Sequence, residues 1–282
     1  MRIRLSGRGR DVRVERIDIP VGQRRMPALV ISPQARRSST AGMFWLHGGG
    51  YATGMKEMAF MSCAIDAVER CGAVVVTPDY RLSLLAPYPA ALHDSYASLL
   101  FLRRHADSLG INPSQIMVGG ESAGGGLAAS LCMLARDRGE VSIAYQMPLY
   151  PMIDNLDTET SADNHAKVWN TRRNHEAWRL YLRSDAASSK VSPYAAAARQ
   201  TDYRSLPPAY TFVGTEEPFY AETLTFIENL KLAGVKATVD VYEGMYHAFD
   251  MMDPRHPSSV LARERFCDEL KQAMETYFAP QP

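Results

Sequence analysis

Two glycine-rich motifs constrain this chain most, because each directly follows a short apolar run. The runs are residues 43–46 and 116–119, and each is typical of a strand that is covered on both faces. The motifs that follow them are His47-Gly48-Gly49-Gly50 and Gly120-Glu121-Ser122-Ala123-Gly124. A G-x-S-x-G turn between a strand and a helix projects its serine hydroxyl from the top of a sheet. The glycine turn supplies backbone N–H groups that can face an anion formed at that serine. Together the motifs predict a serine nucleophile.

The remaining pattern predicts an α/β fold. Apolar runs alternate with amphipathic helical stretches, which is typical of a mostly parallel sheet covered by helices. Residues 12–19 alternate between polar and apolar, as an exposed antiparallel edge strand does, and residues 28–31 are its expected hairpin partner. Further strands are predicted at 73–77, 145–150, 209–213 and 238–242. Several predicted helices end before a glycine, where a left-handed residue is favoured: Gly72, Gly110, Gly139 and Gly234. We expect one domain over residues 1–282.

Residues 151–208 break this alternation. The stretch is polar and contains one helical segment, at about 174–184, and an alanine-rich turn region. Long connections in compact domains often serve as lids. We expect a small cap, inserted over the carboxyl ends of the strands; the alternative is a surface excursion with no role in binding.

Composition excludes several classes of protein. The 282 residues are 46% apolar and 22% charged, with 31 basic and 31 acidic side chains, so no net charge favours nucleic acid or a membrane surface. No apolar run is long enough to span a bilayer or to act as a secretory signal. We expect a cytoplasmic protein with no metal site. The N-terminal segment is basic and is expected to be a solvated, partly frayed tail; its arginines are Arg2, Arg4, Arg8, Arg10, Arg13 and Arg16. Four cysteines inside predicted helices are expected to be free thiols: Cys63, Cys71, Cys132 and Cys267.

A serine nucleophile needs a base, and the base needs an orienting acid. Among seven histidines, only His247 follows a late predicted strand by a short loop. The acid is expected in the loop after strand 209–213, where Glu217 is the first choice and Glu216 the second. Both glutamates could instead complement the positive end of a helix that begins at Pro218. Asp240 and Asp250 are further alternatives.

Backbone N–H groups of Gly48, Gly49 and Ala123 are expected to hold the oxyanion. Residues 124–126 are all glycine, but they lack the spacing and the lysine of a phosphate-binding loop. A nucleotide site is therefore not expected.

With these residues in place, the sequence resembles the hormone-sensitive-lipase-like branch of the α/β-hydrolase fold, the bacterial carboxylesterases and acetyl esterases. The resemblance spans about residues 12–278. The matching blocks are His47-Gly48-Gly49-Gly50-Tyr51, Asp79-Tyr80-Arg81-Leu82, Pro89-Ala90-Ala91-Leu92 with Asp94, residues 120–125, Ser192-Pro193-Tyr194, Leu206-Pro207-Pro208-Ala209 and His247-Ala248-Phe249. It implies an eight-stranded sheet, hydrolysis of short-chain acyl esters through an acyl-enzyme, no cofactor, and a homodimer in some members.

The chain departs from this family's pattern at several places. Glu217-Pro218-Phe219 stands where relatives carry Asp-Pro-Leu, and Glu121 stands where an aspartate precedes the nucleophile. Ser83-Leu84-Leu85-Ala86 replaces an Ala-Pro-Glu-His at the pocket rim, which affects the expected substrate preference. The first strand begins near Val12, so we expect no N-terminal cap helices and a more open pocket.

Three functions fit the sequence. The first is a serine carboxylesterase for small-molecule esters, with pocket walls expected from aromatic side chains: Tyr51, Trp169, Trp178, Tyr181 and Tyr246. The second is an amide or formamide hydrolase that uses the same residues. The third is a non-catalytic small-molecule receptor, as the plant gibberellin receptors are, although these lack the catalytic histidine.

Overall fold

The apolar runs of the sequence form the centre of a mixed sheet. The computed structural model describes residues 12–35 and 39–282, and in this part of the chain the sheet has eight strands. They are β1 (Val12–Val21), β2 (Arg24–Pro33), β3 (Thr40–Leu46), β4 (Val74–Pro78), β5 (Ile111–Glu121), β6 (Tyr145–Leu149), β7 (Ala209–Gly214) and β8 (Ala237–Tyr242). The spatial order is β1-β2-β4-β3-β5-β6-β7-β8. The β1–β2 and β2–β4 pairs are antiparallel, and the other pairs are parallel. The predicted fold class is confirmed.

Helices cover both faces of this sheet. They are α1 (Cys63–Glu69), α2 (Ala90–Leu109), α3 (Ala123–Arg138), α4 (Thr171–Leu182), α5 (Tyr220–Leu232), α6 (Phe249–Met252) and α7 (Pro257–Thr276). Short 3₁₀ turns lie at Lys56–Phe60, Arg183–Asp185 and Ala197–Arg199. Gly110 and Gly139 end α2 and α3 in the left-handed conformation, with φ of 74° and 64°. Both positions match the sequence prediction.

Strand β3 shows why its sequence is apolar throughout. Phe44 and Leu46 belong to the core formed with α2 and α3, whereas Met43 and Trp45 belong to the core formed with α1 and α7. All four side chains are fully buried. Because successive strand residues point to opposite faces, a strand between two helical layers needs an apolar side chain at every position.

The parallel strands bring several loops to one edge of the sheet. The turns that follow β3, β5, β7 and β8 all lie at the carboxyl ends of neighbouring strands. Loops at this edge are where open α/β sheets form their binding sites. The topology therefore places residues 47–50, Ser122, Glu217 and His247 at the same edge.

Residues 151–208 contain α4 and two of the 3₁₀ turns, between β6 and β7. The predicted helix at 174–184 begins and ends slightly earlier, at Thr171–Leu182, because Asn170 accepts the N–H of Arg173 and caps the helix. The segment is tied to α5, since Glu222 accepts the N–H groups of Ile153 and Asp154 at 2.7 and 3.2 Å.

Some local expectations are corrected. Cys71 lies in the turn after α1 and not in a helix, because α1 ends at Glu69. Arg13 and Arg16 belong to β1, whereas the rest of the expected basic start, up to residue 11, lies outside the described residues. Within the described residues, no helix has the length and apolar character that crossing a membrane requires.

Candidate active site

Ser122 occupies the sharp turn between β5 and α3. Its backbone has φ of 59° and ψ of −122°, a conformation that L-residues rarely adopt. The turn is held by two hydrogen bonds, from the N–H of Ser122 to the carbonyl of Leu149 and from the N–H of Met152 to the carbonyl of Ser122. The strained turn presents the hydroxyl to the loops at the carboxyl edge.

His247 lies in the loop after β8 and reaches this hydroxyl. Its Nε2 is 2.9 Å from Oγ of Ser122. The imidazole is packed edge-to-face against two aromatic rings, with centroid distances of 5.1 Å to Tyr150 and 5.0 Å to Phe219. These contacts limit rotation of the ring. Tyr150 and Phe219 were not predicted at the site, although Phe219 is part of the Glu-Pro-Phe departure.

Glu217 supports the other side of the imidazole. Its Oε2 is 2.6 Å from Nδ1 of His247, and its Oε1 accepts the N–H of Gly214 at 3.1 Å. The carboxylate is fully buried. A charge-assisted hydrogen bond in a buried site orients the ring and favours the tautomer with the proton on Nδ1.

The other acids considered in the sequence have different partners. Glu216 is exposed. Asp240 accepts a hydrogen bond from the hydroxyl of Tyr210 and pairs with Arg265. Asp250 accepts the hydroxyl of Tyr150 at 2.8 Å. Of the four, Glu217 is the acid that the structure brings to His247.

The glycine turn corrects one predicted oxyanion donor. The N–H of Gly48 donates to Oε1 of Glu121 at 3.1 Å, so it is not available to a substrate. In the described part of the chain, the N–H groups of Gly49, Gly50 and Ala123 have no acceptor. Gly50 was not predicted, because the sequence does not show which N–H of a triple glycine is already bonded.

Glu121 joins the glycine turn to β3. Its Oε2 also accepts the indole N–H of Trp45 at 2.5 Å. Burial raises the pKa of Glu121 to about 8, although the N–H groups of Gly48 and Trp45 stabilise the carboxylate and partly oppose this rise. One buried carboxyl group therefore fixes the start of the turn that faces Ser122.

His47 also stabilises this turn. Its ring stacks on Tyr80 at a centroid distance of 4.3 Å, and the hydroxyl of Tyr80 donates to the carbonyl of His47 at 2.7 Å. Burial lowers the pKa of His47. A neutral, stacked imidazole suits a structural role.

Three of the predicted pocket walls are core residues instead. Tyr51, Trp178 and Tyr181 are each at most 2% exposed and pack against one another. Tyr51 stacks on Tyr181 at 4.0 Å, and its hydroxyl donates to the carbonyl of Met152. Their faces are occupied by neighbouring rings, so the prediction that they line the pocket is corrected.

Trp169 does lie at the site. Its ring centroid is 6.1 Å from that of His247, and a Cβ placed on Gly50 would be 2.5 Å from its indole edge. Ser122 and His247 are only 5% and 3% exposed. The two side chains are therefore more enclosed than the open pocket that the sequence suggested. The reason is that the segment 151–208 places Trp169 beside them.

Tyr246 lines a different cavity. That surface cavity has a volume of about 700 Å³ and is formed by residues 163–168 together with Glu216, Gly244, Tyr246 and Met252. Its lining includes neither Ser122 nor His247. The prediction that Tyr246 forms a wall of the pocket around Ser122 is therefore not supported by its position.

Known proteins resemble this chain over most of its length. Residues 43–251 match the family with the α/β-hydrolase fold. An AB hydrolase superfamily protein of Schizosaccharomyces pombe is 31% identical over 258 residues, covering 85% of this chain and 74% of the relative. Carboxylesterase NlhH of Mycobacterium tuberculosis is 29% identical over 252 residues, covering 88% and 79%. The solved structure of a bacterial heroin esterase superposes with a TM-score of 0.90 at 30% identity, covering 94% of this chain and 85% of that one.

The raised pKa of Glu121 predicts how stability depends on pH. The folded-state pKa is about 8 and the ordinary value 4.5, so between these values the folded protein keeps a proton that the unfolded chain releases. The stability that is linked to the proton on Glu121 is therefore fully present below pH 4.5. It is lost as the pH rises to about 8, so the free energy of unfolding falls over this interval. Glu121→Gln has no proton to lose, so its free energy of unfolding should decline less over this interval. Urea unfolding at several pH values measures both slopes, and exposed Glu243→Gln is the control. Equal slopes for wild type and Glu121→Gln would contradict the assignment.

Proposed function

The chain belongs to the α/β-hydrolase family and is a carboxylic ester hydrolase, and we propose that Ser122 is its nucleophile. The observation that carries the proposal is the continuous hydrogen-bond chain from Ser122 through His247 to Glu217, with distances of 2.9 and 2.6 Å. A hydroxyl, an imidazole and a buried carboxylate in this order form the arrangement that activates serine in triad hydrolases.

In the proposed first step, Nε2 of His247 takes the hydroxyl proton as Oγ of Ser122 attacks the ester carbonyl. The proton on Nδ1 stays with the imidazole, and the Glu217 carboxylate stabilises the imidazolium that forms. The N–H groups of Gly49, Gly50 and Ala123 donate hydrogen bonds to the negatively charged oxygen that forms from the ester carbonyl. Each such donor is worth about 3 kcal/mol in known hydrolases.

Collapse of this intermediate releases the alcohol, which receives its proton from His247, and leaves an acyl group on Ser122. Water then attacks the acyl group with His247 again as base. His247 returns the proton to Oγ of Ser122 as the acyl–oxygen bond breaks, and the carboxylic acid product is released. Each transfer uses Nε2 of His247, so the ring never has to leave its contacts with Tyr150 and Phe219.

We further propose that the substrates have short acyl groups and that residues 151–208 act as a cap. The support is the position of Trp169, whose indole lies close to both Gly50 and His247 and so takes up space beside the proposed nucleophile. We expect the indole to leave too little space beside Ser122 for a long acyl chain.

Replacing the nucleophile or the base should abolish activity. We expect Ser122→Ala and His247→Ala each to lower kcat on p-nitrophenyl acetate by about 10⁶-fold, because the two groups act as a unit. A fluorophosphonate probe should label the wild-type protein at Ser122 and should not label Ser122→Ala. An unlabelled wild-type protein that still binds small molecules would favour the receptor instead. Faster hydrolysis of N-formyl aryl amines than of esters would favour the amide hydrolase.

The orienting role of Glu217 is tested by an isosteric change. In Glu217→Gln, the amide can accept or donate at Nδ1, so the imidazole no longer has a fixed tautomer or a stabilising charge. We expect kcat to fall by about 10⁴-fold with the far-ultraviolet circular dichroism spectrum unchanged. Glu216→Gln is the matched control, since Glu216 is the exposed neighbour, and its kcat should stay within twofold of wild type. The reverse ranking of the two variants would assign the acid to Glu216.

The size of the acyl pocket should depend on Trp169. Wild type should prefer p-nitrophenyl esters with acyl groups of four carbons or fewer. Trp169→Ala removes the indole beside Gly50 and should raise kcat/KM for octanoate relative to acetate by about tenfold, as expected for about 1.4 kcal/mol of regained apolar contact. Trp169→Phe keeps an aromatic ring there and should change the ratio less. A wild-type preference for octanoate would refute the short-chain proposal.

A further inference from the structure

Cys71 and Cys267 lie side by side although they are 196 residues apart in the chain. Cys71 is in the turn after α1, and Cys267 is in α7. Sγ of Cys71 is 3.7 Å from the carbonyl oxygen of Cys267, so the two cysteines are direct neighbours in the fold. The ion pair between Asp66 and Arg263, at 2.6 Å, holds α1 against α7 close to this contact.

The two thiols have different environments. Cys71 is partly exposed, and its pKa is lowered by the hydrogen bond with Cys267 and by the positive charges of Lys271 and Arg70. Cys267 is fully buried, and the hydrogen bond with Cys71 together with burial raises its pKa. The nucleophilic form of a cysteine is the thiolate, so Cys71 is the thiol of this pair that reacts first with a reagent from solvent.

The other two cysteines lack both the partial exposure and the lowered pKa of Cys71. Cys63 and Cys132 are buried, and burial raises the pKa of each. Among the described contacts, the sulfur of Cys63 has Asp250 as its hydrogen-bonding partner, and Cys132 has no cysteine neighbour. Partial exposure, a lowered pKa and a neighbouring cysteine therefore coincide at Cys71 in the described structure.

We propose that Cys71 and Cys267 are a reversible oxidation site that forms a disulfide with a small-molecule disulfide as oxidant. In the first exchange, the Cys71 thiolate attacks one sulfur of glutathione disulfide, forms a mixed disulfide and expels one glutathione thiolate. In the second exchange, the sulfur of Cys267 attacks the Cys71 sulfur, and the proton of Cys267 passes to the departing sulfur of the second glutathione, which leaves as a thiol. Two protein thiols are oxidised, and one glutathione disulfide is reduced to two glutathiones.

This bond would join parts of the chain that are far from the nucleophile. Cys71 precedes β4, which runs parallel to β3, so it lies at the amino edge of the sheet. Ser122 lies at the carboxyl edge, after β5. The cross-link closes a very long loop, which restricts the unfolded chain, so the expected consequence is higher stability with esterase activity retained. The proposal does not depend on the identity of the catalytic residues.

The test incubates the full-length protein with glutathione disulfide and analyses it by mass spectrometry after digestion without reductant. We expect one linked pair of peptides, containing Cys71 and Cys267, and a rise in Tm of about 5 °C that dithiothreitol reverses. Cys132→Ala is the control and should give the same linked pair.

Two variants separate the steps. Cys267→Ser should stop at a stable glutathione adduct on Cys71, because the second thiol is missing. Cys71→Ser should give neither an adduct nor a linked pair. The proposal is overturned if wild type retains glutathione on Cys71 without forming the linked pair, if a different pair of cysteines is linked, or if no cysteine reacts.

Discussion

The site depends on how closely the end of β5 approaches the end of β3. A Cβ on Gly124 would be 2.0 Å from the carbonyl oxygen of Leu46, and a Cβ on Gly120 would be 2.5 Å from the same atom. Both contacts are with backbone, so no rotation of a side chain can relieve them. The absence of side chains at these two positions lets the strained turn at Ser122 sit directly against the glycine turn that follows Leu46. Main-chain contacts therefore position Ser122 and the backbone N–H groups that we propose as oxyanion donors.

Glu121 adds a second constraint on the same turn. Burying a carboxyl group is costly, and the raised pKa of Glu121 reflects that cost. In return, the carboxyl group binds the first N–H of the turn, from Gly48, and the indole of Trp45 in β3. With Gly48 committed to Glu121, the later N–H groups of the turn are the ones left for a substrate. The hydrogen bond between Gly48 and Glu121 thus excludes Gly48 from the proposed oxyanion donors.

The sequence predicted the strands and turns of the site better than the long-range hydrogen bonds and ring contacts that its residues make. The apolar runs and the G-x-S-x-G turn located β3, β5 and Ser122, because strand periodicity and turn chemistry are local properties of the chain. The loop position of His247 followed from the same reasoning. The partner of Gly48 did not, since the bond to Glu121 joins residues 73 positions apart. The stacking of Tyr51 on Tyr181 likewise depends on where α4 packs, which residue type alone does not show.

The segment 151–208 contacts the backbone beside Glu217 as well as the ring of His247. The hydroxyl of Thr160 donates to the carbonyl of Pro218 at 2.8 Å and accepts the N–H of Ala221 at 3.1 Å, directly after Glu217. The same segment supplies Trp169 beside His247. Because one segment contacts both the backbone beside Glu217 and the space next to Ser122, a displacement of this segment changes two properties together. The position of the Glu217 carboxylate and the space beside Ser122 are therefore coupled, and substitutions in this segment that widen this space should also weaken the hydrogen bond between Glu217 and His247.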